Sequence, residues 1–151
     1  MNRDEYGICK NQARLYRFVA RKGMDMEWFS ENYLRSSFCK RAFDTIYSRF
    51  QTADELECLD FIMPELGVPK MMENGYIFEP DVAEWIGFTY RQLYIETEIP
   101  SAELVEKADF ATMCRYYPGL HTIDEEMATD IICENKGLKK LERFQTKEEL
   151  E

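Results

Sequence analysis

Pro80-Asp81-Val82-Ala83-Glu84-Trp85-Ile86-Gly87-Phe88-Thr89-Tyr90-Arg91-Gln92-Leu93-Tyr94 is the stretch whose reading decides the fold. Val82, Trp85, Ile86, Thr89 and Leu93 recur at helical spacing and make one inner face, while Phe88 and Ile95 widen the apolar arc beyond that of an ordinary surface helix. Proline suits a first helical turn, where its missing N–H leaves no bond unmade. The helix is therefore predicted to open at Pro80 and run to about Thr97. A helix apolar over so much of its circumference belongs at the centre of a bundle, so the chain reads as all-α.

Working outward, the same period recurs and strand-like alternation is scarce. Upstream, one helix is predicted from Arg3 to Lys22, ended by Gly23, and a second from Asp25 to Leu34. Ser36 and Ser37 offer caps for a helix carrying Phe38, Ala42, Phe43, Ile46, Tyr47 and Phe50. Thr52 with Glu55, Thr122 with Glu125 and Thr146 with Glu149 have capping-box spacing. The first opens a helix bearing Leu56, Leu59, Ile62 and Met63, which Pro64 should stop. The stretch from Pro64 to Glu79, with Pro69, Gly67 and Gly75, reads as a linker in which Tyr76-Ile77-Phe78 forms a short extended segment. Downstream, Pro100-Ser101 starts a helix with Leu104 and Val105. Asp109 caps one with Phe110, Met113 and Tyr117, broken at Pro118-Gly119, and a last helix runs from Asp124 to Glu134 before Asn135-Lys136-Gly137. The sum is a single compact domain of seven to nine short helices over 1–137, with candidate sub-units 1–64 and 80–137 joined by 65–79. The charged stretch 138–151 is expected to be a frayed or solvent-exposed helix.

Composition supports a packed core. The hydrophobic fraction is 45% over 151 residues, too high for a disordered chain. No apolar run approaches the roughly 18 residues of a membrane span, and no hydrophobic signal core opens the chain, so a cytoplasmic location is expected. The five cysteines (Cys9, Cys39, Cys58, Cys114, Cys133) are scattered and form no C-x-x-C pair, which suits small core residues in a reducing compartment. With His121 as the single histidine, a zinc site is not expected, and neither is a cofactor.

Charge is unevenly divided. Residues 1–50 carry ten Lys/Arg against six Asp/Glu, while the rest carries nine against twenty-three, for a total of −10. So acidic a chain argues against nucleic acid as the main partner. Lys10, Arg14, Arg17 and Arg21 nevertheless step by 4, 3 and 4 and make one basic stripe on a helix. The stripe is a solvated face, a docking face for an acidic partner, or an internal dock against the acidic second half.

Candidate chemistry is sparse, and no catalytic residue is assigned. Asp124, Glu125 and Glu126 suit a helix N-terminus, where the dipole favours acids. His121 is either a general base oriented by Asp124 or Tyr116, or a turn residue that bonds a backbone carbonyl or faces solvent. Arg91 lies on the flank of the Pro80 helix, where it could pair with Glu84 or Glu98 or stack on Tyr94.

The pieces Glu84-Trp85-Ile86-Gly87-Phe88-Thr89-Tyr90-Arg91 and Leu120-His121-Thr122-Ile123-Asp124 together resemble a group of small uncharacterised bacterial proteins, mainly from Firmicutes. Those proteins look like components of toxin–antitoxin-like loci whose neighbours often resemble ADP-ribosyltransferase-type toxins. The resemblance spans roughly residues 76–134. It implies a non-enzymatic module that binds, and in an antitoxin neutralises, another protein. Lys10, Arg14, Arg17, Arg21, Arg91 and His121 are the candidate partner-binding residues. The alternatives are a small enzyme using His121 with an acidic or thiol partner, and a DNA-binding regulator acting through the basic helix.

Overall fold

The computed structural model describes residues 1–145. Chain order is α1 (Arg3–Arg21), α2 (Met26–Leu34), α3 (Ser37–Ala42), α4 (Glu55–Leu66), α5 (Pro80–Thr97), α6 (Ser101–Lys107), α7 (Phe110–Leu120) and α8 (Glu125–Lys136). Single 3-10 turns lie at Arg49–Thr52, Glu73–Gly75 and Glu142–Phe144. Among the described residues there is no strand, and an isolated antiparallel bridge joins Met24 to Met71. The domain is all-α.

Local signals explain most boundaries. Asn2 and Glu5 form a capping box that starts α1, and Pro80 occupies the first turn of α5. Asp25, Ser36, Asp54, Asp109 and Asp124 each accept a bond from an amide in the first turn of the helix that follows. Gly137 closes α8 in the left-handed conformation, with φ of 67°, which glycine adopts without a side-chain clash.

The architecture is organised by α1 crossing α5. Residue numbers fall along α1 as they rise along α5, so the pair is antiparallel. Arg17 meets Asp81 and Glu84 near one end, and Gln12 reaches Gly87 and Arg91 further along. Gly87 lets the backbones touch. A Cβ built there would lie 2.7 Å from Tyr16 Cγ and 2.9 Å from the Gln12 carbonyl oxygen. Around this contact sits one core, including Tyr16, Phe29, Tyr33 and Phe43 from the first half and Ile86, Tyr90, Leu93, Met113 and Ile132 from the second. Phe29 stacks on Tyr33 at 5.5 Å, and Tyr16 meets both rings edge-on.

Several expectations are corrected. The helix expected to run through Phe50 ends at Ala42, because Asp44 turns inward toward Arg91 and Ser101. Ile46 and Tyr47, expected on that helix, are 99% and 81% exposed on the loop that results. Thr52 and Thr122 are not caps. In each case an aspartate two residues on takes the amides, and a carboxylate gains more from the helix dipole than a hydroxyl. The Thr146–Glu149 pair lies outside the described residues. Pro64 and Pro118 fall in the last turns of α4 and α7, each of which runs two residues further. Both prolines are exposed there, so the carbonyl each leaves without an amide partner can be hydrated. In the 65–79 stretch Tyr76 is extended, at φ −63° and ψ 143°, but Tyr76-Ile77-Phe78 pairs in no strand. Instead the stretch is clipped to the end of α1, with Asp25 N–H donating to Lys70 O and Met72 N–H to Gly23 O, both at 2.8 Å. Residues 138–145 are not a frayed helix. Leu138 and Lys140 are buried, and Leu141 N–H donates to Glu96 O at 2.7 Å.

The close approach at Gly87 sets a direct test. In an ordinary helix Gly→Ala is stabilising by roughly 0.5–1 kcal/mol. Here Gly87→Ala should lower stability by about 2 kcal/mol, because the neighbour it strikes includes α1 backbone. Urea denaturation checks the sign.

Candidate functional site

A groove of about 500 Å³ has α1 on one side, α5 beneath, and α7 and α8 opposite. Tyr6, Lys10 and Arg14 come from α1, Asp81, Glu84, Trp85 and Phe88 from α5, and Tyr117, His121 and Glu125 from the far wall. Its rings are mutually braced. Trp85 meets Tyr117 edge-on at 5.8 Å and 76°, and Tyr6 meets Phe88 at 5.4 Å and 70°. The wide apolar arc of α5 thus serves two surfaces. Ala83, Ile86, Tyr90 and Leu93 enter the core, while half-buried Trp85 and Phe88 form the groove floor.

The basic stripe divides along its length. Arg17 is committed internally, 2.5 Å from Asp81 and 3.2 Å from Glu84. Arg14 lies at the groove edge, bonded to Asn11 and 3.7 Å from Glu55. Lys10 has no carboxylate partner among the described residues, and its ammonium sits 5.6 Å from the Tyr6 ring centroid. Arg21 is exposed beyond the groove. Reversing the whole stripe would therefore break the α1–α5 ion pairs as well as alter a surface.

His121 ends α7 as its C-cap and lines the same groove. Its ring stacks on Tyr117 at 4.1 Å and 13°, and Nδ1 lies 2.7 Å from the Tyr117 carbonyl oxygen. A carbonyl only accepts, so Nδ1 carries a proton and donates to it. Neither expected orienting group serves it. Asp124 caps α8, and the Tyr116 hydroxyl accepts from Asn135.

Arg91 is a correction. It is fully buried and cannot touch a partner at the surface. Nor does it pair with Glu84 or Glu98. Its guanidinium donates to Asp44 Oδ1 at 2.6 Å, to Gln12 Oε1 from two nitrogens at 3.0 and 2.9 Å, and to Ser101 Oγ at 3.1 Å. It does lie over Tyr94, 5.2 Å from the ring centroid. Burial works against the charge, yet the Asp44 carboxylate holds the guanidinium protonated. Asp44 is itself bonded by the Ser101 amide at 2.8 Å and hydroxyl at 2.6 Å, and Gln12 accepts from Tyr33 and donates to Gly87 O. A second buried charge group lies toward the C-terminus, where Lys140 Nζ contacts Glu96 at 3.2 Å and Asp130 at 2.6 Å.

Thiol and metal chemistry find no support here. Burial pushes the Cys9, Cys39, Cys58 and Cys114 thiols up, Cys58 to about 12, so none is poised as a thiolate. Among the described residues no cluster of His, Cys, Asp and Glu could hold a metal ion. Tyr6, Phe88, Tyr117 and Glu125 stand outside the partner-binding set read from sequence, in which Phe88 and Tyr117 are packing residues and Glu125 a helix-start acid. Tyr6 had a readable signal, since it lies one turn before Lys10 on the same stripe.

No protein-family model, curated protein or solved structure matches the chain. Among the described residues no helix is long and apolar enough to cross a membrane.

The Arg91 cluster sets the second test. Asp44→Ala should cost about 3–5 kcal/mol, because it leaves a buried guanidinium without its counter-charge. Arg91→Met should cost less than Asp44→Ala, since it removes the charge itself. Chemical denaturation of both variants checks the order.

Proposed function

We propose that this protein is a non-enzymatic protein-binding module, of the kind an antitoxin or accessory component of a toxin–antitoxin-like locus would be, and that it takes a segment of its partner in the aromatic groove. The observation that carries the reading is the groove itself. Three helices bring Tyr6, Trp85, Phe88 and Tyr117 to one open concavity, and aromatic residues of this type, part-exposed in a concave site, are the usual anchors of protein interfaces. The locus assignment rests on the sequence resemblance around Trp85 and His121.

The enzyme reading draws on one observation, that His121 lines a concavity. Against it, among the described residues no hydroxyl or thiol bonds the ring. Activation of a protein nucleophile by histidine needs one within reach. The DNA reading weakens because Arg17, at the middle of the stripe, is already neutralised by two carboxylates.

The experiment is co-expression with the products of the adjacent genes, followed by affinity measurement on any complex obtained. Tyr6→Ala combined with His121→Ser should weaken binding about ten- to hundredfold, or roughly 1.4–2.7 kcal/mol, without shifting the thermal midpoint appreciably. Undiminished affinity would move the interface elsewhere, and the absence of any complex would count against the module reading.

A further inference from the structure

Resting on the groove as the binding site, we infer that its specificity is for a basic side chain, an arginine or lysine of the partner segment, held between the aromatic walls and the carboxylates of Asp81, Glu84 and Glu125.

Three observations point the same way. First, the aromatic walls have the geometry that cations prefer. Trp85 and Tyr117 stand nearly perpendicular, at 76°, so a guest beside one ring face meets the second ring at a steep angle. A cation over a Trp or Tyr face is attracted by the ring quadrupole. The chain already uses the groove in this way, with Lys10 over Tyr6.

Second, the local charge is not balanced. Asp81 and Glu84 share the single guanidinium of Arg17, which leaves negative charge over. Glu125 makes no ion pair with a described side chain. Partial burial, followed by the neighbouring Asp124 and Glu126 carboxylates, pushes its pKa above the ordinary glutamate value. A carboxylate strained in that direction is relieved by an arriving cation. On the opposing wall Arg14 is bonded to Asn11 and lies 3.7 Å from Glu55, while Lys10 keeps its charge over the Tyr6 ring.

Third, the whole chain carries a net charge of −10, so its long-range field favours a basic partner and disfavours an acidic one. The acidic partner that the stripe alone suggested is therefore the less suited occupant. Within the groove the stripe is met by carboxylates that the linear sequence keeps some seventy residues away.

The test is a backbone-amide NMR titration of the intact protein with two pentapeptides, acetyl-Gly-Leu-Arg-Leu-Gly-amide and the same peptide with citrulline, which keeps the shape and removes the charge. The arginine peptide should shift amides around Gly87, Phe88 and His121 and bind about fivefold or more tighter than the citrulline peptide at low salt. Glu125→Gln should erase most of that difference while leaving the fold unchanged. Equal binding of both peptides at the groove would overturn the cation preference and leave the module reading standing. Shifts away from the groove, or none up to millimolar peptide, would overturn the cation site, and the co-expression experiment decides the module reading independently.

Discussion

Arg91 places a full positive charge where no water reaches, and much of the bundle is arranged to meet it. Gln12 comes from α1, Cys39 and Asp44 from α3 and the turn after it, and Ser101 from the start of α6. Gln12, Cys39 and Asp44 lie 79, 52 and 47 residues from Arg91, so the cluster fixes how distant pieces of chain dock on α5. Such a charge contributes little net stability over an apolar core of the same shape, but any arrangement that leaves it unpaired is strongly disfavoured. Its role is to select one packing. Gly87, one turn earlier on the same helix, supplies the complementary constraint by letting α1 lie close enough for Gln12 to reach.

With α1 and α5 locked, the remaining helices are placed by what α5 leaves uncovered. Its apolar face takes the core, its Arg91 face takes the α3–α6 turns, and Glu96, which also accepts from Gln92, meets Thr129 and Lys140. The strip between, at Trp85 and Phe88, is covered only in part by α7 and α8 and so becomes the groove. Groove and core are thus two faces of one helix, and the groove walls are built on the α1–α5 contact. Rings held in place before a ligand arrives lose less entropy on binding.

Much of the fold was legible because it rests on local signals. Pro80, Asp109, Ser36 and Gly137 act within one turn of themselves, and the 3.6-residue period of α5 needs no tertiary information. What sequence could not show was long-range. Phe38 to Phe50 reads as one amphipathic helix until Asp44 is pulled to an arginine nearly fifty residues away, and that single ion pair exposes Ile46 and Tyr47. Arg91 read as a surface flank for the same reason, since a charged residue beside an apolar face is usually solvated. Of the candidate site, Lys10, Arg14 and His121 do converge on one groove, Arg17 borders it through Asp81 and Glu84, and Arg21 stands outside it. The chemistry they share could not be read linearly, because Asp81, Glu84 and Glu125 set carboxylates against a surface that the stripe alone makes basic.

The central claim is that α1 and α5 form the rigid unit on which the core and the groove both depend. Native-state hydrogen exchange tests it most directly. Amides of Gln12–Val19 and Gly87–Leu93 should exchange only through global unfolding, with free energies equal to the denaturation value, while α4 and residues 138–145 open at lower cost. Exchange of the α1 or α5 segment through an opening cheaper than global unfolding would contradict the account.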